Sequence, residues 1–223
     1  MMVSFDVLSN PIVLSDTEVN VLCIENKEYY RKVISSFLNG SLLEDNIVFS
    51  NNYEPIDSKN KIIFIDNYYK LDISSAFLKK IYEDMSVFCK NELGYETSEL
   101  QKTIFLFAEN LIQNYDYDFT FKEEFDLKEF FKYIGIKPNL SNDMLLDSLI
   151  EYILLIKKYT KVEVFVFLNI HLYFSVSELE VFFKELLYQH VNIMIIEGNT
   201  SFTKQITEKV TIIDNDLCEI VDF

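Results

Sequence analysis

The sequence predicts an α/β protein: a largely parallel sheet built from both ends of the chain, with a helical block inserted between them. Three observations carry this. Short apolar runs of strand length and β-branched content occur near both termini, at Val19–Ile24, Ile62–Ile65, Val164–Leu168 and residues 191–196. Between them, residues 71–159 switch to a helical period. The last third then alternates strand, helix and strand at the spacing of a crossover unit, which implies parallel pairing. The predicted division is a head from residues 1–70 and 160–223, and a helical domain from residues 71–159.

The elements follow in order. Phe5-Asp6-Val7-Leu8 alternates weakly, and the turn Ser9-Asn10-Pro11 and the apolar Ile12-Val13-Leu14 follow. After the strand Val19–Ile24, a helix face of Tyr30, Val33, Ile34, Phe37 and Leu38 stops near Gly40. Ile47-Val48-Phe49 is a further strand, and the continuous apolar run Ile62–Ile65 suits a strand covered on both faces. In the middle block, Ile73, Phe77, Ile81, Met85 and Phe88 form one helix face, and Leu100, Ile104, Phe107 and Leu111 a second. Asp126-Leu127-Lys128-Glu129 is a helix-start pattern, and Gly135 ends that helix. Leu145, Leu149, Tyr152, Ile153 and Ile156 make the next apolar face. Ser175-Val176-Ser177-Glu178 opens a helix faced by Leu179, Phe182, Phe183, Leu186 and Leu187, and strands at 210–213 and 218–221 close the chain.

Composition narrows the function. With 49% hydrophobic residues, 20 Phe and 14 Tyr in 223 residues, the chain has apolar surface enough to offset the entropy of folding. No run of 18 apolar residues is present and no secretory signal is visible, so the expectation is a soluble cytoplasmic protein with no membrane partner. Cys23, Cys89 and Cys218 stand far apart in apolar runs and read as buried free thiols. The net charge is -16, from 36 acidic and 20 basic residues, and residues 71–154 alone carry 16 acidic against 8 basic. Such a surface repels phosphate unless lysines gather locally or cations neutralise the carboxylates.

Enzymatic motifs are missing. The four glycines (Gly40, Gly94, Gly135, Gly198) form neither a phosphate-cradling loop nor a dinucleotide fingerprint, which argues against a nucleotide-hydrolysing enzyme. Asp66, after Ile62–Ile65, resembles the acidic strand end that supports magnesium in such enzymes, but it has no phosphate loop to serve. His171 and His190 are bracketed by no cysteine pair, so neither a zinc site nor a Cys–His nucleophile is expected. Ser201 lacks a nucleophile elbow.

Two polar features remain. Asp116, Asp118, Glu123, Glu124 and Asp126 alternate with aromatics on one predicted bend, and two readings stand: a solvated acidic turn, or an oxygen-rich calcium site without the spacing of an EF-hand. Lysines also cluster. Lys122, Lys128 and Lys132 form one group, with 128 and 132 a helical turn apart; Lys157, Lys158 and Lys161 form another, and Lys27, Arg31 and Lys32 a third. With 19 lysines to one arginine, these groups suit phosphate contact rather than base reading.

Several segments together resemble a known family. FDVLSNPIVLS with VNVLCIENKEYY, AENLIQNYDYDFTFKEEFDLKEFFKYIGIKPNLSND, and YTKVEVFVFLNIHLYFSVSELEVFFKELLYQHVNIMIIEG look like the small ring-forming adaptation protein of type II-A CRISPR systems, which binds double-stranded DNA ends; residues 40–100 match only in pattern. The resemblance implies a head shaped like a degenerate nucleotide-binding fold, an inserted helical leg, and no catalysis. It implies a homotetrameric ring around duplex DNA, working with the other adaptation proteins, namely the integrase complex and the effector nuclease. It also implies calcium at the head–leg hinge, held by Asp116, Asp118, Glu123 and Glu124 with Asp126 nearby, although the Tyr and Phe between the acidic pairs depart from the family pattern. Lys27, Lys122, Lys128, Lys132 and Lys158 are the nominated DNA contacts. The alternative is an acidic oligomeric scaffold that binds only proteins.

Overall fold

The structure, a computed structural model, describes residues 1–71, 73–140 and 144–221. In chain order the elements are β1 (Met2–Ser4), β2 (Ile12–Val13), β3 (Val19–Ile24), α1 (Lys27–Asn39), β4 (Val48–Asn51), β5 (Glu54–Pro55), β6 (Ile62–Ile65), α2 (Ser75–Glu92), α3 (Gly94–Ile112), α4 (Leu127–Ile134), α5 (Leu145–Tyr159), β7 (Val164–Leu168), α6 (Val176–Tyr188), β8 (Asn192–Glu197), β9 (Glu208–Ile213) and β10 (Glu219–Val221). They divide into two compact units. One comprises Met1–Leu71 with Leu140–Phe223, and the other Asp72–Asn139.

The first unit is an α/β structure around a six-stranded sheet of order β10-β9-β3-β8-β7-β6. Every pairing from β9 to β6 is parallel, and only β10 runs antiparallel, against β9. All six residues of β3 are buried, as its apolar pattern, broken only by Asn20, leads one to expect of a strand covered on both sides. Leu22, Ile24, Val164, Val166, Met194, Ile196 and Ile213 line one face and pack against Tyr29 and Val33 of α1. A second, antiparallel sheet of order β2-β1-β4-β5 joins the same core through Val3, Ile12 and Phe49. The single polar residue within β3, Asn20, is satisfied by donating its amide to the Val13 carbonyl at 3.1 Å. Residues of opposite parity, such as Phe167, face the other way, where Phe167 meets Phe182 of α6 edge-on at 5.6 Å. The capping box that starts α6 forms as predicted: the Ser175 hydroxyl accepts from the Glu178 N–H, and the Glu178 carboxylate accepts from the Ser175 N–H.

Several expectations need correction. Phe5–Leu8 is not a strand; the N-terminal strand is Met2–Ser4, and the chain turns before β2. Helix α5 groups with the sheet and packs on α6, with Leu149, Ile153 and Ile156 among its buried residues. The helical unit therefore ends at Asn139, not at residue 159. Cys218 is exposed, Cys89 half-buried and only Cys23 buried.

The second unit holds α2, α3 and α4. Tyr82 of α2, Leu127 and Phe131 form its small core, and the Tyr82 hydroxyl donates to the Ile136 carbonyl at 2.6 Å. Helix α4 ends on Gly135 in the left-handed region (φ 71°), the conformation its Schellman-type stop demands. The expected faces of α2 and α3 are only partly covered. Phe88 is exposed, and α3 has no buried residue along its 19 positions. No described helix is long and apolar enough to cross a membrane.

The Phe167–Phe182 contact is the test of the sheet–helix packing. Phe182→Ala leaves a cavity under a fully buried ring and should lower unfolding free energy by about 3–5 kcal/mol, measured by denaturant unfolding followed by far-UV circular dichroism.

Candidate nucleic-acid interface

In parallel α/β sheets, ligands bind beyond the C-terminal strand ends where the chain reverses direction across the sheet, and here that point is the end of β3, between β8 and β9. The turn into α1 is filled by the protein itself. Asn26 caps the helix, its side chain accepting from the N–H groups of Glu28 and Tyr29 at 3.1 and 2.9 Å, so donors that could meet a phosphate are already taken. Glu25 and Glu28 add negative charge at the same place. Tyr30 lies over Gly198, where an added Cβ would meet its ring at 3.1 Å, and its hydroxyl accepts from the Asn169 amide at 2.6 Å. The Asn169 side-chain oxygen in turn accepts the Gly198 N–H at 3.1 Å. The crevice is thus closed by a Tyr30–Asn169–Gly198 plug.

Asp66 does not belong to this point. It follows β6, the edge strand, three strands away from β3, or about 14 Å at the usual strand spacing. The acidic strand end next to β3 is Glu197, and its carboxylate is held by His171 at 2.7 Å. That pairing escaped the sequence reading. The signal available was a Glu closing the continuous apolar run of β8, since a carboxylate so placed requires a partner.

The lysines are more productive. In the helical unit, Lys79, Lys128 and Lys132 line a groove of about 320 Å³ together with Tyr82, Asp126 and Glu129. A second groove, of about 500 Å³, is lined by Lys90, Lys122 and Lys128 with Glu123, Glu124 and Asp126. The two grooves adjoin at Lys128 and Asp126, so five lysines of α2, α4 and the connection before α4 lie along neighbouring grooves, Lys132 pairing with Glu129 at 3.5 Å. Lys79 and Lys90 were missed in the sequence because they sit on α2, distant in chain position from the cluster they join. Two nominated lysines lie elsewhere, in the other unit. Lys27 is exposed at the first turn of α1, and Lys158, near the end of α5, stands over the Tyr159 ring at 4.8 Å. Its neighbour Lys157 turns to the end of α6, donating to the Gln189 carbonyl and, at 2.6 Å, to that of His190. Desolvation there lowers the Lys157 pKa.

The acidic run does not form a metal cage in this arrangement. Asp116, Asp118, Glu123, Glu124 and Asp126 are all exposed, and among the described residues no three His, Cys, Asp or Glu side chains are grouped to hold an ion. Glu124 pairs with Lys122 at 2.6 Å. Asp126 is the N-cap of α4, accepting from Lys128 N–H at 2.8 Å and Glu129 N–H at 3.4 Å. Of the aromatics between these carboxylates, Tyr117 and Phe119 are exposed, while Phe121 reaches Phe105 of α3.

A parallel-sheet α/β protein whose strand-end crevice is closed by its own side chains, carrying a helical unit with lysine-lined grooves, is the class this geometry defines. The model of the family described as CRISPR-associated protein (Cas_Csn2) matches residues 41–217, and the chain belongs to that family, the adaptation proteins of type II-A CRISPR systems. Comparison with curated proteins gives no match. Among solved structures the chain is similar to a putative ABC transporter ATP-binding protein from Pyrococcus furiosus, with a TM-score of 0.41, 14% identity and 94% of each chain covered.

The capping geometry fixes what Asp126 should do. Its hydrogen bonds from the Lys128 and Glu129 N–H groups, with the nearby lysine charge, hold its carboxyl below the ordinary value of 3.8. The stability it lends is therefore present above that value and is lost as pH falls below it. Asp126→Ala should shorten α4 and lower the melting temperature with or without added calcium. Asp126→Asn should keep the cap but lose its acid dependence, both read by circular dichroism between pH 2.5 and 7.

Proposed function

We propose that this protein acts in spacer acquisition as a homotetrameric ring that holds double-stranded DNA by its backbone and hydrolyses nothing. The observation that carries the reading is the gathering of Lys79, Lys90, Lys122, Lys128 and Lys132 on one surface of a chain whose net charge is -16. Glu123, Glu124, Asp126 and Glu129 share that surface, and Lys122 and Lys132 pair with Glu124 and Glu129, so DNA phosphates would compete with these carboxylates for the ammonium groups. Lysine suits such contact without base reading, because it offers a point charge where arginine offers a planar fork. Assembly is supported by α3, which exposes Tyr95, Phe107 and Leu111, with Phe88 of α2 similarly uncovered. A single chain gains nothing from such a display, whereas a second copy would remove it from water. Absence of turnover is supported by the self-capped α1 and the Tyr30 plug over Gly198.

The charge leaves a second reading open to test, an acidic scaffold binding only proteins. Duplex binding with a steep salt dependence separates the two. Each phosphate contact contributes a slope of about 0.9 in the log–log plot of affinity against salt. Lys79→Glu, Lys128→Glu and Lys132→Glu combined should weaken binding to all duplex sequences alike, by roughly tenfold or more, and flatten that slope. Loss at only one sequence, or affinity unchanged by salt, contradicts backbone binding. Phe107→Asp with Leu111→Asp should reduce the sedimenting mass without unfolding the chain, since both side chains are exposed. The same sedimentation run with chelator, calcium and magnesium reads out the calcium dependence that the family resemblance implies. Equal mass in all three leaves residues 113–126 as a solvated connection.

A further inference from the structure

His171 sits where the chain leaves β7, with its side chain 5% exposed, and both of its ring nitrogens face carboxylates. Nδ1 is 2.7 Å from Glu197 Oε1 at the end of β8, and Nε2 is 2.7 Å from Glu208 Oε1 at the start of β9. The two glutamate side chains are 2% and 0% exposed. A neutral imidazole has one N–H, so it would set a bare nitrogen lone pair against one of these oxygens, whereas the imidazolium donates to both. Residues 198–207 join the two glutamates. Phe202 of this crossover stacks on the imidazole at 4.2 Å and 20°, and the Gln205 N–H donates to Glu208 Oε2 at 2.7 Å. The Gln205 amide also reaches the Val176 carbonyl at the start of α6, at 3.2 Å.

We propose that His171 is a buried imidazolium that clamps the 198–207 crossover across the sheet by bridging Glu197 and Glu208, and that alkali releases this clamp. Of the groups that bear charge around the ring, Glu197 comes from β8 and Glu208 from β9. Cys23 on β3, Tyr30 on α1 and Tyr68 after β6 also feel Glu197, but burial pushes the thiol up to about 12 and raises both phenols, so all three stay neutral. Burial opposes the charged imidazole, yet the hydrogen bonds it donates to the two glutamates outweigh that and raise its pKa from 6.5 to about 9. A raised value means that the clamp contributes fully below the unfolded value of 6.5 and is lost as pH climbs through about 9.

The chain has only two histidines, which makes the test direct. Long-range proton–nitrogen spectra of the ¹⁵N-labelled full chain, recorded from pH 6 to 10, should show one imidazole protonated on both nitrogens at pH 7.5. His190→Asn assigns the other signal, asparagine being suited to the positive φ (56°) at that exposed position. Trypsin cleavage after Lys204, within the crossover, should accelerate by roughly tenfold or more between pH 7 and 9.5, relative to a free peptide carrying the same bond. Glu208→Gln keeps an oxygen acceptor but removes a charge, and should move both the imidazole midpoint and the onset of cleavage down by about one pH unit or more. A neutral His171 at pH 7.5, or cleavage that follows the peptide control across the range, overturns the proposal. Should Glu208→Gln fail to fold, the wild-type spectra and cleavage rates still decide the matter.

Discussion

β3 constrains the rest of the first unit. Its six residues are all buried and it takes parallel partners on both sides, β8 and β9, so no side of it is available to water. A strand with that composition forces the chain to cover both faces of the sheet. One face takes α1 with the small antiparallel sheet, and the other takes α6 with α5 beside it. Parallel pairing also demands crossovers, since consecutive parallel strands cannot be joined by a hairpin. The connection from β8 to β9, with β3 between them, is the one described crossover that lacks a helix. The His171 bridge lies on this segment, which compensates by ionic and aromatic contacts for the apolar stripe a helix would have provided.

The same topology explains the closed crevice. Strand ends that converge at a reversal point generate a recess with helix N–H groups aimed into it, and such recesses recruit anions. Here the recess is filled by groups the chain already had to place: Asn26 on the helix start, Tyr30 over Gly198, and Asn169 held in the left-handed region (φ 52°) so that its amide can face Tyr30. Polar side chains that satisfy one another in this way occupy the Glu28 and Tyr29 N–H groups and place the Tyr30 ring against Gly198. The helical unit is the opposite case. Its core is small, centred on Tyr82, Leu127 and Phe131, and much of its apolar and charged surface faces outward. Surface of that kind stabilises nothing within one chain, and it is where contacts with other molecules are to be sought.

What the sequence determined by itself was local and periodic. Apolar runs located β3, β6, β7 and β8 because a doubly covered strand admits few polar positions, Asn20 of β3 being one. The Ser175–Glu178 box, the Asp126 cap and the Gly135 stop were legible because each is an exchange between neighbours within four residues. The lysines of α4 were found for the same reason, one turn apart on one helix. Tertiary structure alone decided which distant residues meet. Lys79 and Lys90 join Lys128 only because α2 packs on α4. Glu197 rather than Asp66 stands beside β3 because strand order is set by crossovers, not by chain order. Helix α5 went to the sheet although its period is indistinguishable from that of α2, since a helical stripe specifies that a face is buried but not against what. The acidic run shows the limit from the other side. Its spacing could place oxygens together, but alternating carboxylates bind an ion only if the backbone folds them inward, and here Asp126 is held by the helix it caps and Glu124 by Lys122.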